Sequence, residues 1–243
     1  MEWCIINIKT LNIQVLNLSL GAEPQESYRT DPLCRATTEA WKNGIVVCCA
    51  AGNEGPKPGS ITTPGINPHV ITVGNIDDQN TISSDDDRLH WSSSKGPTLD
   101  YIVKPDLVAP GTEITSLANN KNGYRTLTGT SMATGFVSGS VALILQQWKD
   151  YSPDAIKRLL LNNTKDLGLG PNLQGAGELN LEPIFRGKRN RFGESQREML
   201  TKVLGENLVR MLSNTTNLKA SELGKDLDRI IYNTITNLIS KNH

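Results

Sequence analysis

The segment LTGTSMAT (residues 127–134) places a serine between small residues and the long apolar stretch that follows it. Ser131 stands where a helix would begin, and the N-terminus of a helix carries unpaired N–H groups and a partial positive charge. A hydroxyl at that point could attack a carbonyl carbon while its own N–H faces the oxygen that becomes negative. The alternative is an ordinary serine near a helix N-cap, and this segment alone favours that alternative.

A second candidate is Asn53, which follows the apolar run IVVCC and the small residues AAG. Its side-chain amide could donate a hydrogen bond to the same negative oxygen, so that Asn53 and the Ser131 N–H would form a two-donor oxyanion hole. The alternative is a glycine-rich turn, in which asparagine is common because its side chain bonds to the local backbone. In isolation, the turn is the simpler interpretation.

A serine nucleophile also needs a general base, and the base needs a carboxylate that orients it. The chain has three histidines, His69, His90 and His243. We expect His69 at the edge of a strand, His90 in a polar loop and His243 at the C-terminus. Each is expected to be structural or solvated rather than catalytic.

Alternating strand and helix patterns would position these residues. Apolar runs predict strands at 13–21, 45–53 and 69–76 and a short apolar segment at 104–111. Residue spacing predicts helices at 2–11, 34–44, 127–148 and 152–164, with Gly44 ending the second and Ser152 capping the last. The alternation indicates an α/β domain with a parallel sheet, in which functional residues gather beyond the carboxyl ends of the strands.

Composition excludes several classes of protein. Lys plus Arg and Asp plus Glu both number 25, so no excess of charge indicates nucleic acid or a membrane surface. No apolar run reaches the roughly 18–20 residues of a membrane span, and the first residues lack the pattern of a secretion signal. The four cysteines lack C-x-x-C spacing and are interpreted as small buried hydrophobic residues, which favours a reducing compartment and a cytoplasmic location.

Composition changes after Pro183, and we place a domain boundary between residues 186 and 187. A basic, glycine-containing linker leads to apolar residues at helical spacing, which predict a helical hairpin in a tail over 187–243. We expect its apolar stripe to pack on the main domain or on another subunit. Binding to a membrane surface is the alternative, but the basic residues are scattered rather than gathered on one face.

Five segments occur in an order that resembles the C-terminal half of the catalytic domain of the subtilisin-like serine peptidases. They are LNLSLG (16–21), GIVVCCAAGNEGP (44–56), HVITVGNIDD (69–78), KPDLVAPG (104–111) and LTGTSMAT (127–134). The polar loop SSDDD followed by SSSKGPT looks most like the bacillary intracellular branch of that family. The resemblance covers about residues 1–182.

The resemblance implies a partial three-layer α/β/α domain over residues 1–186 with a mostly parallel sheet. It implies an endopeptidase that hydrolyses peptide bonds through an acyl-enzyme, with Ser131 as nucleophile and Asn53 as oxyanion donor. It also implies that a polypeptide substrate lies as an extra strand, its first side chain entering between two segments, SLG and AAG. These substrate-binding residues are Ser19, Leu20, Gly21, Ala50, Ala51 and Gly52.

The chain departs from the family pattern in two places. The family's Asp and His precede the strand that ends in SLG, whereas the 18 residues before Ser19 contain neither. Gly135 and Phe136 replace a Pro-His pair, and we expect this replacement to destabilise the start of the helix by ~1 kcal/mol. The small residues Ala133, Gly135 and Gly139 are expected to let the helix pack closely beneath the site.

These departures predict the C-terminal part of a peptidase, inactive until an N-terminal fragment or another subunit complements it. A pseudopeptidase that binds peptides or regulates an active relative is the rival hypothesis, and a decayed gene product is the third. The sequence shows no cluster of metal-ligand residues, and we expect no cofactor. Asp85–Asp87 could contact calcium, but we expect a solvated acidic loop there.

Overall fold

A mostly parallel sheet forms the centre of the fold in the computed structural model, which describes residues 1–81, 83–119 and 123–185. Four strands lie parallel in the order β1, β2, β3, β5, and a short β4 pairs antiparallel with the end of β3. The strands are β1 (Val15–Leu18), β2 (Val46–Ala50), β3 (Ile71–Asp77), β4 (Arg88–Leu89) and β5 (Leu107–Pro110). A separate hairpin joins β6 (Ile114–Leu117) to β7 (Tyr124–Leu127).

Helices cover both faces of the sheet. All five residues of β2 are buried, and neighbouring residues of a strand point to opposite faces. The longest helix packs across four strands, while α3 and α5 pack on β2 and are joined by a hydrogen bond from Trp41 Nε1 to Asp154 Oδ1 of 2.9 Å. The helices are α1 (Glu2–Ile6), α2 (Ile8–Leu11), α3 (Pro32–Lys42), α4 (Thr130–Gln147), α5 (Pro153–Leu161), α6 (Pro171–Gln174) and α7 (Glu182–Phe185). The predicted three-layer α/β architecture is confirmed.

Local capping explains where the helices begin and end. The Ser152 hydroxyl accepts the Ala155 N–H at the start of α5, as predicted. Helix α3 begins earlier than predicted because Asp31 accepts the Cys34 N–H at 2.8 Å and Pro32 opens the helix. It ends at Lys42 with Asn43 as its C-cap, and Gly44 takes a φ of 91°, a conformation that glycine adopts without strain.

Three expectations need correction, and one element was missed. Residues 2–11 form two short helices, because Asn7 interrupts them. The hairpin of β6 and β7 was not predicted. Gly135 lies in the second turn of α4 and not at its first residue. The replacement of a proline by glycine there therefore does not weaken the start of the helix. A Cβ on Gly135 or Gly139 would meet no atom within 4 Å, so of the three small residues only Ala133 permits close burial.

Three of the four cysteines are buried as predicted, and Cys4 is not. Cys34, Cys48 and Cys49 are fully buried, Cys4 is partly exposed, and all four are free thiols. Burial raises the pKa of the Cys34 and Cys48 thiols to about 12, which keeps them protonated and unreactive.

Two further expectations concern the C-terminal tail and membrane-spanning segments. The helical hairpin over 187–243 lies outside the described residues. Within residues 1–185, apart from the gaps at 82 and 120–122, no helix combines the length and apolar character that crossing a membrane requires.

Candidate active site

Ser131 lies in the first turn of α4, which begins at the carboxyl side of the sheet. Gly129 precedes the helix, and the Met132 N–H closes back on the Gly129 carbonyl at 3.0 Å. Within the described part of the chain, the Ser131 N–H has no hydrogen-bond acceptor. Its hydroxyl reaches only the Ser19 carbonyl oxygen, at 3.5 Å. The residue therefore presents a hydroxyl and an N–H donor together at a helix N-terminus, where negative charge is stabilised.

Asn53 contacts the residue next to Ser131. Its Oδ1 accepts the Thr130 N–H at 3.0 Å and the Thr130 hydroxyl at 3.3 Å. A backbone N–H can only donate, so this contact fixes the amide with its oxygen toward the helix and its Nδ2 donors elsewhere. Asn53, 78 positions before Ser131 in the chain, thus contacts the residue that directly precedes Ser131 at the start of α4.

Gly129 allows this close approach. A Cβ on Gly129 would lie 3.2 Å from Asn53 Oδ1 and 3.3 Å from Asn53 Nδ2. Such distances are shorter than carbon usually tolerates, so a side chain at residue 129 would push the amide away from the helix.

Thr130 is a site residue that sequence reasoning missed. It is fully buried, and its hydroxyl accepts the Gly52 N–H at 3.3 Å while donating to Asn53. Its carbonyl accepts the Thr134 hydroxyl one turn later. Thr130 therefore ties the AAGN segment to the helix. The hydroxyl side chain directly before Ser131 was the available signal.

A chain of polar contacts also fixes Ser131 from the side of β1. The Ser19 hydroxyl donates to the Ser131 carbonyl at 2.9 Å and accepts from Asn17 Nδ2 at 2.9 Å. Asn17 Oδ1 in turn accepts the Ser138 hydroxyl at 2.8 Å, two turns along α4. These bonds hold the start of α4 against the end of β1.

The two predicted substrate segments differ in accessibility. Ser19, Leu20 and Gly21 are exposed, whereas Ala50 and Ala51 are buried and Gly52 is half-buried. The Ala51 N–H donates to Val73 and its carbonyl accepts the Thr62 N–H, both at 2.9 Å. The backbone available to a further strand is therefore that of residues 19–21.

Thr62 lies between the two segments and was not identified from the sequence. A Cβ on Gly21 would lie 2.4 Å from Thr62 Oγ1, and one on Gly52 would lie 2.7 Å from Thr62 Cγ2. Thr62 is only 7% exposed, and its hydroxyl donates to the Ala51 carbonyl at 3.2 Å. Its side chain fills the space between the segments.

Neither described histidine bonds to Ser131. His90 Nδ1 lies 2.9 Å from the Ser92 hydroxyl. His69 precedes β3 as predicted, and burial, followed by the charge of Lys157, lowers its pKa. His243 lies outside the described residues.

The acidic run 85–87 makes protein contacts. Asp85 pairs with Lys165 at 3.0 Å, and Asp86 accepts the Thr81 hydroxyl at 2.9 Å. Among the residues described, no three His, Cys, Asp or Glu side chains converge as metal ligands would.

The sequences of known proteins match most of this chain. The model of the subtilase family matches residues 1–180. Serine protease AprX of Bacillus subtilis (strain 168) is 45% identical over 207 residues, which cover 77% of this chain and 47% of AprX. Subtilisin Savinase of Lederbergia lenta is 34% identical over 186 residues, covering 76% of this chain and 60% of that protein.

Solved structures show the same similarity. Sphericase aligns with a TM-score of 0.57 and 27% identity over 67% of this chain and 52% of its own. The prenylagaramide maturation protease PagA aligns with a TM-score of 0.59 and 26% identity over 76% of this chain and 65% of its own. This chain spans about half the length of AprX.

Proposed function

Because this chain belongs to the subtilase family of serine peptidases, we propose that it supplies the nucleophile and the oxyanion-binding groups of a subtilisin-like endopeptidase. The contact that supports this most directly is the one between Asn53 and Thr130, which brings an amide to the helix turn that carries Ser131. The substrate is a polypeptide, and the reaction is hydrolysis of a peptide bond.

The chemistry follows from the two donors. The Ser131 hydroxyl oxygen attacks the carbonyl carbon and forms a tetrahedral intermediate, whose oxygen accepts from the Ser131 N–H and from Asn53 Nδ2. Loss of the amine leaves an ester on Ser131, which water hydrolyses. In subtilisin, the system from which this value comes, removing the asparagine donor lowers kcat by about 10²–10³-fold.

The serine proton needs an acceptor, and we propose that a segment equivalent to the unmatched part of AprX provides it. The chain covers 47% of AprX, and neither described histidine bonds to Ser131, since the hydroxyl of Ser131 contacts the Ser19 carbonyl and His90 contacts Ser92. The outer face of α4 supports the same proposal, since Phe136 and Leu143 there are 45% and 50% exposed. This segment would complete the catalytic group and cover that face.

The extended substrate lies along residues 19–21 in this proposal. A side chain entering between the two segments meets Thr62, so we expect residues as small as glycine, alanine or serine before the cleaved bond.

A fluorophosphonate probe tests the proposal, since it labels only activated serines. The full chain is mixed with the AprX segment that it does not match, and labelling is followed on a gel. We expect labelling in the mixture, none in Ser131→Ala, and slower labelling in Asn53→Ala. Ser116→Ala, an exposed serine of β6, serves as the matched control and retains labelling.

A second candidate is a pseudopeptidase that binds peptides without cleaving them. It is favoured by the Ser131 hydroxyl contact, which is to the Ser19 carbonyl and not to a base. An assembled but unlabelled mixture that binds extended peptides supports this candidate and contradicts the peptidase.

A further inference from the structure

Glu178 is a buried carboxyl far from the candidate active site in sequence. Its side chain is 8% exposed. Its backbone exchanges two hydrogen bonds with Lys165, at 2.9 Å and 2.7 Å, and the flanking residues Gly177 and Leu179 bond to Val108 of β5. Glu178 is therefore held rigidly at the edge of the sheet.

A second carboxyl, Asp87, faces Glu178 from the loop that leads into β4. The two carboxyl groups lie close enough to affect each other's protonation. Asp87 Oδ1 and Glu178 Oε2 are both buried, and neither has a hydrogen-bond partner among the described residues. Two carboxyl groups can bond to each other only when one of them carries a proton, because an ionised carboxylate is solely an acceptor.

The surrounding charges disfavour full ionisation of the pair. Asp78 and Asp86 add negative charge near Asp87. Lys165 is the nearby cation, but its ammonium already bonds to Ser84 and to Asp85 at 3.0 Å. Burial, followed by the contact with Asp87, raises the pKa of Glu178 to about 7. Burial also raises the pKa of Asp87, and Asp78 adds to that rise.

We propose that Asp87 and Glu178 share one proton, and that this shared proton holds residues 83–89 against the sheet edge formed by residues 165 and 178. When the proton leaves, two negative charges face each other in a buried space, and the loop separates from the edge. The pair is a pH-dependent latch that closes in acid and opens in alkali.

The direction follows from linkage. A carboxyl whose pKa is higher in the folded protein than in the unfolded chain stabilises the closed form fully below the unfolded value. That stabilisation is lost as the pH rises through the folded value, here about 7. Each unit of difference corresponds to a tenfold change in the closing equilibrium, so we expect a loss of at least about tenfold between pH 5 and pH 8.5.

Hydrogen exchange measured by mass spectrometry on the full chain tests the latch, with protection factors corrected for the intrinsic effect of pH. We expect the protection of residues 83–89 to fall at least about tenfold from pH 5 to pH 8.5. Glu178→Gln keeps the shape and a permanent donor, so its protection should stay constant over that range. Asp86→Asn removes a neighbouring charge but keeps the pair, and should retain the fall.

Two results would overturn the proposal. One is protection in the unsubstituted chain that does not change with pH, or that falls equally in Glu178→Gln. The other is recovery of protection at pH 8.5 on adding millimolar calcium but not sodium, since the pair would then bind a cation rather than a proton.

Discussion

Two glycines in this fold differ in the space around them, and this difference decides whether an added methyl group stabilises or destabilises the protein. Gly135 is an exposed helical residue, and a Cβ there meets nothing within 4 Å. Gly21 is not helical, and a Cβ there would lie 2.4 Å from Thr62 Oγ1 and 3.2 Å from the Thr63 carbonyl oxygen.

We therefore expect Gly135→Ala to stabilise the chain by about 0.5–1 kcal/mol, because alanine loses less conformational entropy in a helix. The free energy of unfolding in urea measures this. Gly21→Ala, the matched change, should destabilise by about 1–3 kcal/mol through overpacking. Equal effects from both substitutions would contradict this account.

The catalytic candidates were predictable from residue type and order, but their supports were not. Ser131 and Asn53 follow recognisable small-residue segments, and parallel strands bring such segments to one edge. Thr130 bonds to a residue 77 positions away, and Thr62 bonds to one 11 positions away. No local sequence pattern reveals which hydroxyl bonds to which segment.

At the scale of elements, one carboxylate directly before β5 contacts both β3 and α5. Asp106 Oδ2 accepts from Lys104 Nζ at 2.6 Å and from the Thr72 N–H of β3 at 2.7 Å, while Oδ1 pairs with Lys157 of α5 at 2.9 Å. Burial lowers the pKa of Lys104 to about 8. Burial alone would raise the pKa of Asp106, but Lys104 and Lys157 lower it overall.

Asp106→Asn should destabilise the chain by about 3–5 kcal/mol, because it leaves a fully buried ammonium without its counter-charge. Urea unfolding measures the change. Asp100→Asn, which alters only half-buried contacts with residues 27 and 28, is the control and should cost much less. A loss under about 1 kcal/mol for Asp106→Asn would show that Lys104 discharges instead.

Elements with a buried face were predictable, and those without one were not. The strands β2 and β3 are apolar and buried almost throughout, and α3 and α5 carry capping residues. The hairpin of β6 and β7 has almost no buried residue, so its sequence shows no alternation between apolar and polar positions.

At the scale of the molecule, α4 is apolar on both sides. Val137, Val141 and Ile144 are fully buried against the sheet, yet Phe136 and Leu143 on the other side are half-exposed. A helix that covers one face of a sheet normally presents polar residues outward. An exposed apolar face is typical of a contact surface, and β1, at the edge of the sheet order, lies beside it.

Replacing Phe136 and Leu143 together by lysine tests which partner this face has. If the proposed complementing segment covers the face, the unsubstituted chain alone should self-associate, and the doubly substituted chain should be monomeric by light scattering. The same substitutions should abolish capture of the AprX segment, because two buried charges would lack partners. Leu99→Lys, which changes an apolar side chain that is 57% exposed, should affect neither measurement. Capture that survives the double substitution would mean that the segment binds elsewhere, and the outer face of α4 would then need another occupant.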